Sequence, residues 1–188
     1  NVMGVGATFL TSKDFNKLDL IEVLKESLKK TSNVDKKFLE KIILDFEKDD
    51  YSLITPQQID FLEKNPKSKW ANYLIFRYKF TNFPKNHVVD DAPTHLIIEP
   101  VSACNIRCIM CFQVDETFSK DSKFMGNMDL ELFKKTIDDA QNIGIQAVTL
   151  TGRGEPTLHP KFGEMFAYCK DKFFDLKINT NEIGRAHV

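Results

Sequence analysis

Three of the four cysteines in this 188-residue chain lie close together, and the fourth is far downstream. Cys104, Cys108 and Cys111 form the pattern Cys-x-x-x-Cys-x-x-Cys, whose short spacings let one loop direct three thiolates towards a compact metal centre. Soft thiolate ligands select zinc or iron–sulfur clusters over hard cations. Clustered cysteines of this kind indicate metal ligands in a reducing compartment and not a disulfide framework. We therefore expect a metal centre at this loop and a cytoplasmic location.

The number of cysteines favours one kind of metal centre over another. Structural zinc usually takes four protein ligands, whereas three thiolates on a four-iron cluster leave one iron open to an exogenous ligand. An open iron indicates chemistry and not only scaffolding. The alternative is a zinc site in which His95 or His159 supplies the fourth ligand, although these histidines lack the spacing of a zinc knuckle.

A second candidate for chemistry is the turn Gly152-Arg153-Gly154-Glu155-Pro156. Glycine has no side chain to block a ligand and tolerates positive φ, so such a turn lets the backbone approach a bound molecule closely. The guanidinium of Arg153 suits bidentate binding of a carboxylate or a phosphate. The alternative is a tight strand-to-helix turn in which Glu155 is merely solvated.

The first part of the chain has the periodicity of helices. Apolar residues recur at helical spacing over 19–30 and 34–48, Thr55-Pro56 begins a short helix to about residue 63, and another helix is predicted over 68–80. The periodicity stops between residues 81 and 93, where asparagine, aspartate and proline indicate a loop. We predict a small all-α N-terminal region over residues 1–86, either an accessory packing domain or a binding module.

After this loop the pattern changes to alternating strands and helices. Strands are predicted at 95–99, 145–151 and 174–180, with a helix over 128–142 and another beginning at His159-Pro160. This alternation is typical of an α/β domain with a parallel sheet and right-handed crossovers. Ligands bind beyond the carboxyl ends of such strands. We therefore expect the cysteine loop, the glycine turn and the segment Asn179-Thr180-Asn181 to meet at one edge.

These three segments resemble the signature of the radical S-adenosylmethionine (SAM) superfamily, over about residues 94–181. The start Cys104-Asn105-Ile106-Arg107-Cys108 resembles its cluster motif, the turn resembles its glycine-glutamate-proline motif, and the last segment resembles its third-strand ending. Within the superfamily, the chain resembles the branch related to molybdenum-cofactor and peptide-maturation (SPASM-type) enzymes. The resemblance implies the start of a partial (β/α) TIM barrel over residues 87–182, incomplete here because three strands cannot close a barrel.

The resemblance also implies cofactors and their ligands. A 4Fe-4S cluster would be bound by Cys104, Cys108 and Cys111. The expected contacts to SAM are Met110, Gly152, Gly154, Glu155 and Thr180. A reduced cluster would cleave SAM to a 5′-deoxyadenosyl radical that abstracts hydrogen from a peptide, a protein or a small molecule such as a sugar or cofactor precursor. A flavodoxin-like or ferredoxin-like reductant is implied, and the rival hypothesis is a noncatalytic zinc- or iron-sulfur-binding module.

Composition excludes other classes of function. The formal net charge is -1, so the bulk charge does not indicate a nucleic-acid partner, and no apolar run approaches the roughly 18 residues of a membrane helix. Cys169 lies on the apolar face of a predicted helix, where we expect a buried thiol. The last six residues, 183–188, match the translation of a common sequencing adapter, and we expect them not to belong to the protein.

Overall fold

The computed structural model describes residues 16–181, apart from the side chains of Val34 and Phe118. The chain divides into two compact units between Asp90 and Asp91, a few residues after the boundary at 86/87 that the sequence suggests. The prediction for residues 183–188 lies outside the described residues. None of the described helices is long and apolar enough to cross a membrane.

The first unit is helical. Side chains of Asn16 and Ser32 cap the first two helices by accepting hydrogen bonds from the N–H groups of Leu18 and Asp35. The core contains leucines that are fully buried, among them Leu24, which has no exposed surface. The helices are α1 (Lys17–Leu28), α2 (Asn33–Glu47), α3 (Pro56–Lys64) and α4 (Trp70–Lys85).

The predicted loop after residue 80 is wrong over its first five residues, because α4 continues to Lys85. Pro84 lies in the last turn of α4. Because proline has no backbone N–H, the helix lacks one hydrogen bond at this position. The carbonyl groups of Asn82 and Phe83, in the same turn, accept hydrogen bonds from N–H groups beyond the helix. Phe83 is 9% exposed, with its ring centroid 5.4 Å from that of Phe38. Burial of this ring holds the last turn in place.

The second unit alternates strands with helices and contains a parallel three-stranded sheet, which agrees with the predicted α/β class. The strands are ordered β1-β2-β3, and His95 pairs with Ala147, which pairs with Asp175. The elements are β1 (His95–Ile98), α5 (Glu116–Ser119), α6 (Leu130–Asn142), β2 (Ala147–Leu150), α7 (Phe162–Tyr168) and β3 (Asp175–Ile178).

The two faces of this sheet differ in polarity. Ile98, Val148 and Leu150 pack with the buried residues of α6 and α7, among which Phe133 has no exposed surface. Cys169 belongs to this core, as predicted, and burial raises the pKa of its thiol to about 11. Successive residues of a strand point to opposite faces, so the other face carries polar side chains such as those of Thr149 and Lys177. Helices α6 and α7 therefore cover the face that carries Ile98, Val148 and Leu150.

Candidate functional site

The cysteine loop follows β1 directly and is closed at its base. Val101 forms an antiparallel bridge with Asn127. Ser102 donates its N–H to the carbonyl of Gly126 at 3.1 Å, and the N–H of Gly126 donates to the Ser102 hydroxyl at 2.7 Å. Residues 103–125 therefore form a loop with fixed ends at the carboxyl end of β1.

The three predicted cluster ligands all lie on this loop and are free thiols. Cys104 and Cys111 are partly buried, and Cys108 is exposed. The N–H of Cys111 donates to the carbonyl of Cys108 at 2.9 Å, which forms a tight turn between these two residues. Three free thiols on one closed loop fit the ligand set of a 4Fe-4S cluster, since each thiolate binds a different iron atom.

The zinc alternative loses the support of its two histidines. The His159 ring is buried, with Nε2 2.9 Å from the carbonyl of Met128 and Nδ1 accepting from the N–H of Lys161 at 3.1 Å. His95 begins β1, at the opposite edge of the sheet from the loop, and its Nε2 lies 2.8 Å from the Thr149 hydroxyl.

Gly154 lies against the backbone that leads into the cysteine loop. A Cβ atom at this position would stand 2.1 Å from the carbonyl oxygen of Val101 and 2.6 Å from that of Ala103. The N–H of Glu155 donates to the Ala103 carbonyl at 2.9 Å. The close approach that this glycine permits is therefore to the loop itself, and its contact with SAM stays a prediction.

Gly152 and Arg153 are both placed by Glu99, which the sequence did not single out. Gly152 has φ +158, and an added Cβ would stand 2.5 Å from the Glu99 carboxylate. Arg153 Nη2 donates to Glu99 Oε1 at 2.8 Å, and the Arg153 N–H donates to Glu99 Oε2 at 2.8 Å. The Arg153 guanidinium, which suits bidentate binding of a carboxylate, thus pairs with a carboxylate of the protein. A SAM contact by Gly152 stays a prediction.

Glu155 is 2% exposed, and its carboxylate joins the ends of β2 and β3. Its Oε1 accepts from the Thr180 hydroxyl at 2.7 Å and from Thr157, and its Oε2 accepts from the N–H of Asn181 at 2.7 Å. Burial alone would raise the pKa of the Glu155 carboxyl, because it disfavours the charged form. The hydrogen bonds from Thr157, Asn181 and Thr180 outweigh this effect, and the pKa is lowered. In this structure Glu155 and Thr180 contact each other, and their contacts with SAM stay predictions.

Replacing Glu155 by Gln should therefore weaken the fold in a pH-dependent way. We expect Glu155→Gln to lower the free energy of unfolding by about 2 kcal/mol at neutral pH, because the amide nitrogen cannot accept the bonds that the carboxylate accepts. The folded-state pKa lies below the ordinary value of 4.5, so the wild-type advantage is complete above 4.5 and is lost as pH falls through the folded-state pKa. Urea unfolding of both proteins at about pH 7 and about pH 3.5 measures this. An unchanged difference between the two pH values would contradict it.

The third predicted segment also reaches the cysteine loop. The Asn181 side-chain amide donates to Asn105 Oδ1 at 2.8 Å and lies 4.0 Å from the Cys104 sulfur. Met110, in contrast, is 92% exposed at the tip of the loop, where its contact with SAM stays a prediction. The structure thus brings the loop, the glycine turn and the end of β3 together at one edge of the sheet. Glu99, which the sequence did not single out, and Asn181, which belongs to the third predicted segment, connect these parts of the site.

Comparisons with known proteins agree with this arrangement. The family model described as "Radical SAM superfamily" matches residues 98–185. The tungsten-containing aldehyde ferredoxin oxidoreductase cofactor-modifying protein of Pyrococcus furiosus is 40% identical over 88 residues, which are 46% of this chain and 23% of that protein. The antilisterial bacteriocin subtilosin biosynthesis protein AlbA of Bacillus subtilis is 30% identical over 89 residues, 47% of this chain and 18% of that protein.

A third relative is the mycofactocin maturase MftC of Mycobacterium tuberculosis, 30% identical over 93 residues, 50% of this chain and 22% of that protein. The chain thus matches less than a quarter of the length of each of these relatives. No solved structure matches it. Members of the matched family bind a 4Fe-4S cluster and SAM, and the three free thiols on one closed loop fit that cluster. Residues 98–185 of this chain belong to the radical SAM superfamily.

Proposed function

We propose that this chain is the cluster-binding part of a radical SAM enzyme in which Cys104, Cys108 and Cys111 bind a 4Fe-4S cluster. The observation that carries the proposal is the closed loop that bears these three free thiols and is hydrogen-bonded to the glycine turn and to the end of β3. When bound, the cluster supplies the electron that cleaves SAM to a 5′-deoxyadenosyl radical, which abstracts hydrogen from the substrate.

Residues from three segments of the chain would position SAM. Gly152 and Gly154 would present backbone at the rim, with Met110 at the exposed tip of the loop, and SAM would lie between them. Glu155 and Thr180 would border the same space, and the bond between their side chains would fix the ends of β2 and β3 beneath it. The protein contributes position and exclusion of water, while the chemistry belongs to the cofactor.

The surrounding architecture is part of the proposal. Strands β1, β2 and β3 would be the first strands of a partial (β/α) barrel over residues 87–182, preceded by a helical accessory region over residues 1–86. Residues 183–188 would not belong to the protein. A cytoplasmic location and a flavodoxin-like or ferredoxin-like reductant fit a cluster that must be reduced before it acts.

The relatives' names support two candidate substrate classes. One relative is named for bacteriocin biosynthesis and another as a mycofactocin maturase, which supports a peptide or protein substrate in a SPASM-type branch. The Pyrococcus relative is named as cofactor-modifying, which supports a small-molecule cofactor precursor as the second candidate.

Anaerobic reconstitution of the full-length protein tests the proposed function. We expect iron and sulfide to bind, with about four iron atoms lost when the three loop cysteines are replaced together. With dithionite and SAM, we expect formation of 5′-deoxyadenosine. Binding of zinc without sulfide would refute the cluster. A complete cluster without any cleavage of SAM would favour the noncatalytic module.

A further inference from the structure

Gln113 lies two residues after Cys111, and only 7% of it is exposed. Its side-chain Nε2 donates to the carbonyl of Ser102 at 2.9 Å and also to the carbonyl of Arg153. Its backbone carbonyl accepts a hydrogen bond from Arg107 Nη1 at 2.9 Å. One buried residue therefore connects the exit of β1, the inside of the cysteine loop and the glycine turn.

These bonds use the full donor capacity of the Gln113 side chain. A primary amide has two N–H donors on one nitrogen, and here they satisfy two carbonyl groups from different segments of the chain. A buried carbonyl that loses its donor is costly, so the amide fixes the distance between these segments. No other type of uncharged side chain of similar length offers two donors from one atom.

The glycine turn is therefore bound to the cysteine loop on both sides of Gly154. On one side the carbonyl of Arg153 accepts from Gln113, which follows the third cysteine. On the other side the N–H of Glu155 donates to Ala103, which precedes the first cysteine. The loop segments just before Cys104 and just after Cys111 thus hold the two peptide groups that flank Gly154.

We propose that Gln113 is a positioning residue that couples the cysteine loop to the glycine turn, so that the position of the cluster ligands sets the position of the turn that receives SAM. The inference rests on the proposed function and adds to it a residue that touches neither the cluster nor SAM. Its consequence is selective: the loss of the Gln113 amide should weaken the binding of SAM while the three cysteines still hold the cluster.

The variant Gln113→Met in the full-length reconstituted protein tests this inference, because methionine has a similar length and no N–H donors. We expect iron and sulfide content equal to wild type and a KM for SAM raised about tenfold, equivalent to about 1.4 kcal/mol, with a smaller change in kcat. When the reduced protein is titrated with SAM, the electron paramagnetic resonance spectrum of the cluster should change at a correspondingly higher SAM concentration in the variant than in wild type.

Gln146→Met is the matched control. Gln146 also donates its side-chain Nε2 to a backbone carbonyl, that of Gly144 at 2.9 Å, but it precedes β2 at the opposite edge of the sheet. We expect its KM for SAM and its spectrum to equal those of wild type. A similar rise in KM for both variants would mean that the effect is general destabilisation, and would overturn the inference.

Other outcomes separate the inference from the proposed function. If wild type binds the cluster and cleaves SAM, and Gln113→Met has the same KM and spectrum, the inference fails and the proposed function stands. If Gln113→Met folds but loses its iron, Gln113 supports the cysteine loop alone and the inference again fails. Absence of cluster and cleavage in wild type would refute the proposed function itself.

If Gln113→Met does not fold, Gln113→Asn takes its place, since it keeps both donors on a side chain that is shorter by one methylene. We expect a full cluster and a KM for SAM between that of wild type and tenfold higher. A wild-type KM for Gln113→Asn would then overturn the inference.

Discussion

Cys108→Ala, like the same change at Cys104 or Cys111, should abolish both the cluster and the cleavage of SAM. Each thiolate would bind a different iron, so loss of one leaves a second iron without a protein ligand. Because metal affinity depends on the complete ligand set, we expect iron content to fall to background and 5′-deoxyadenosine formation to fall at least about 10³-fold. Iron and sulfide analysis with a single-turnover assay under dithionite measures both losses.

Cys169→Ala is the control for this experiment. Cys169 is 1% exposed and packs in the core between the sheet and its helices, with a pKa raised by burial to about 11. It therefore remains a protonated thiol at neutral pH and cannot serve as a ready thiolate ligand. We expect full iron content, normal cleavage and a loss of stability of about 1–2 kcal/mol from the small cavity. Retention of the cluster in Cys108→Ala, or its loss in Cys169→Ala, would contradict the assignment.

Of the alanine substitutions possible at the glycines of this turn, Gly154→Ala should cause the larger loss of stability and of SAM cleavage. The new Cβ would stand 2.1 Å from the carbonyl oxygen of Val101 and 2.6 Å from that of Ala103, both of them backbone atoms. Backbone cannot rotate aside, so the turn and the loop must separate. We expect a loss of about 2–3 kcal/mol in the free energy of unfolding and, because the turn moves by roughly 1 Å, a fall in SAM cleavage of about 10²-fold.

Gly163→Ala is the matched control, with the same change on the same unit. Gly163 lies in α7, and a Cβ added there would meet no heavy atom within 4 Å. Alanine favours a helix over glycine, so we expect a gain of about 0.5–1 kcal/mol and unchanged cleavage. Chemical unfolding and 5′-deoxyadenosine assays on the two variants measure these differences. Equal behaviour of the two alanine variants would contradict the close packing of Gly154 on the loop.

The sequence alone predicted the parallel strands and the edge at which they present the candidate site. That was possible because the period of apolar residues reports local structure, and because parallel strands joined by helices place their carboxyl ends together. The same reasoning failed at residue 81, where proline and asparagine indicated a loop. There, the tertiary packing of the Phe83 ring outweighed local propensity and kept α4 intact.

The contacts that connect the site could not be predicted in the same way. Glu99 and Arg153 are 54 residues apart, and no periodicity relates their positions. Gln113 looks in the sequence like any other polar residue of a long loop, and only its position in the fold gives its amide two carbonyl partners. The buried state of Glu155 depends on Thr180 and Asn181, which belong to a different strand end. Such pairings arise from the tertiary structure and leave no local signal.

The hydrogen bonds between Ser102 and Gly126 bear on how proteins of this kind can change during evolution. Because these bonds join the two ends of the loop beside the sheet, residues can be inserted or deleted between Gln113 and Gly126 without moving β1 or α6. Long surface insertions cost little free energy when their ends are already held together. The segment after the cluster ligands can therefore acquire new lengths and new substrate contacts while the metal-binding frame is inherited unchanged.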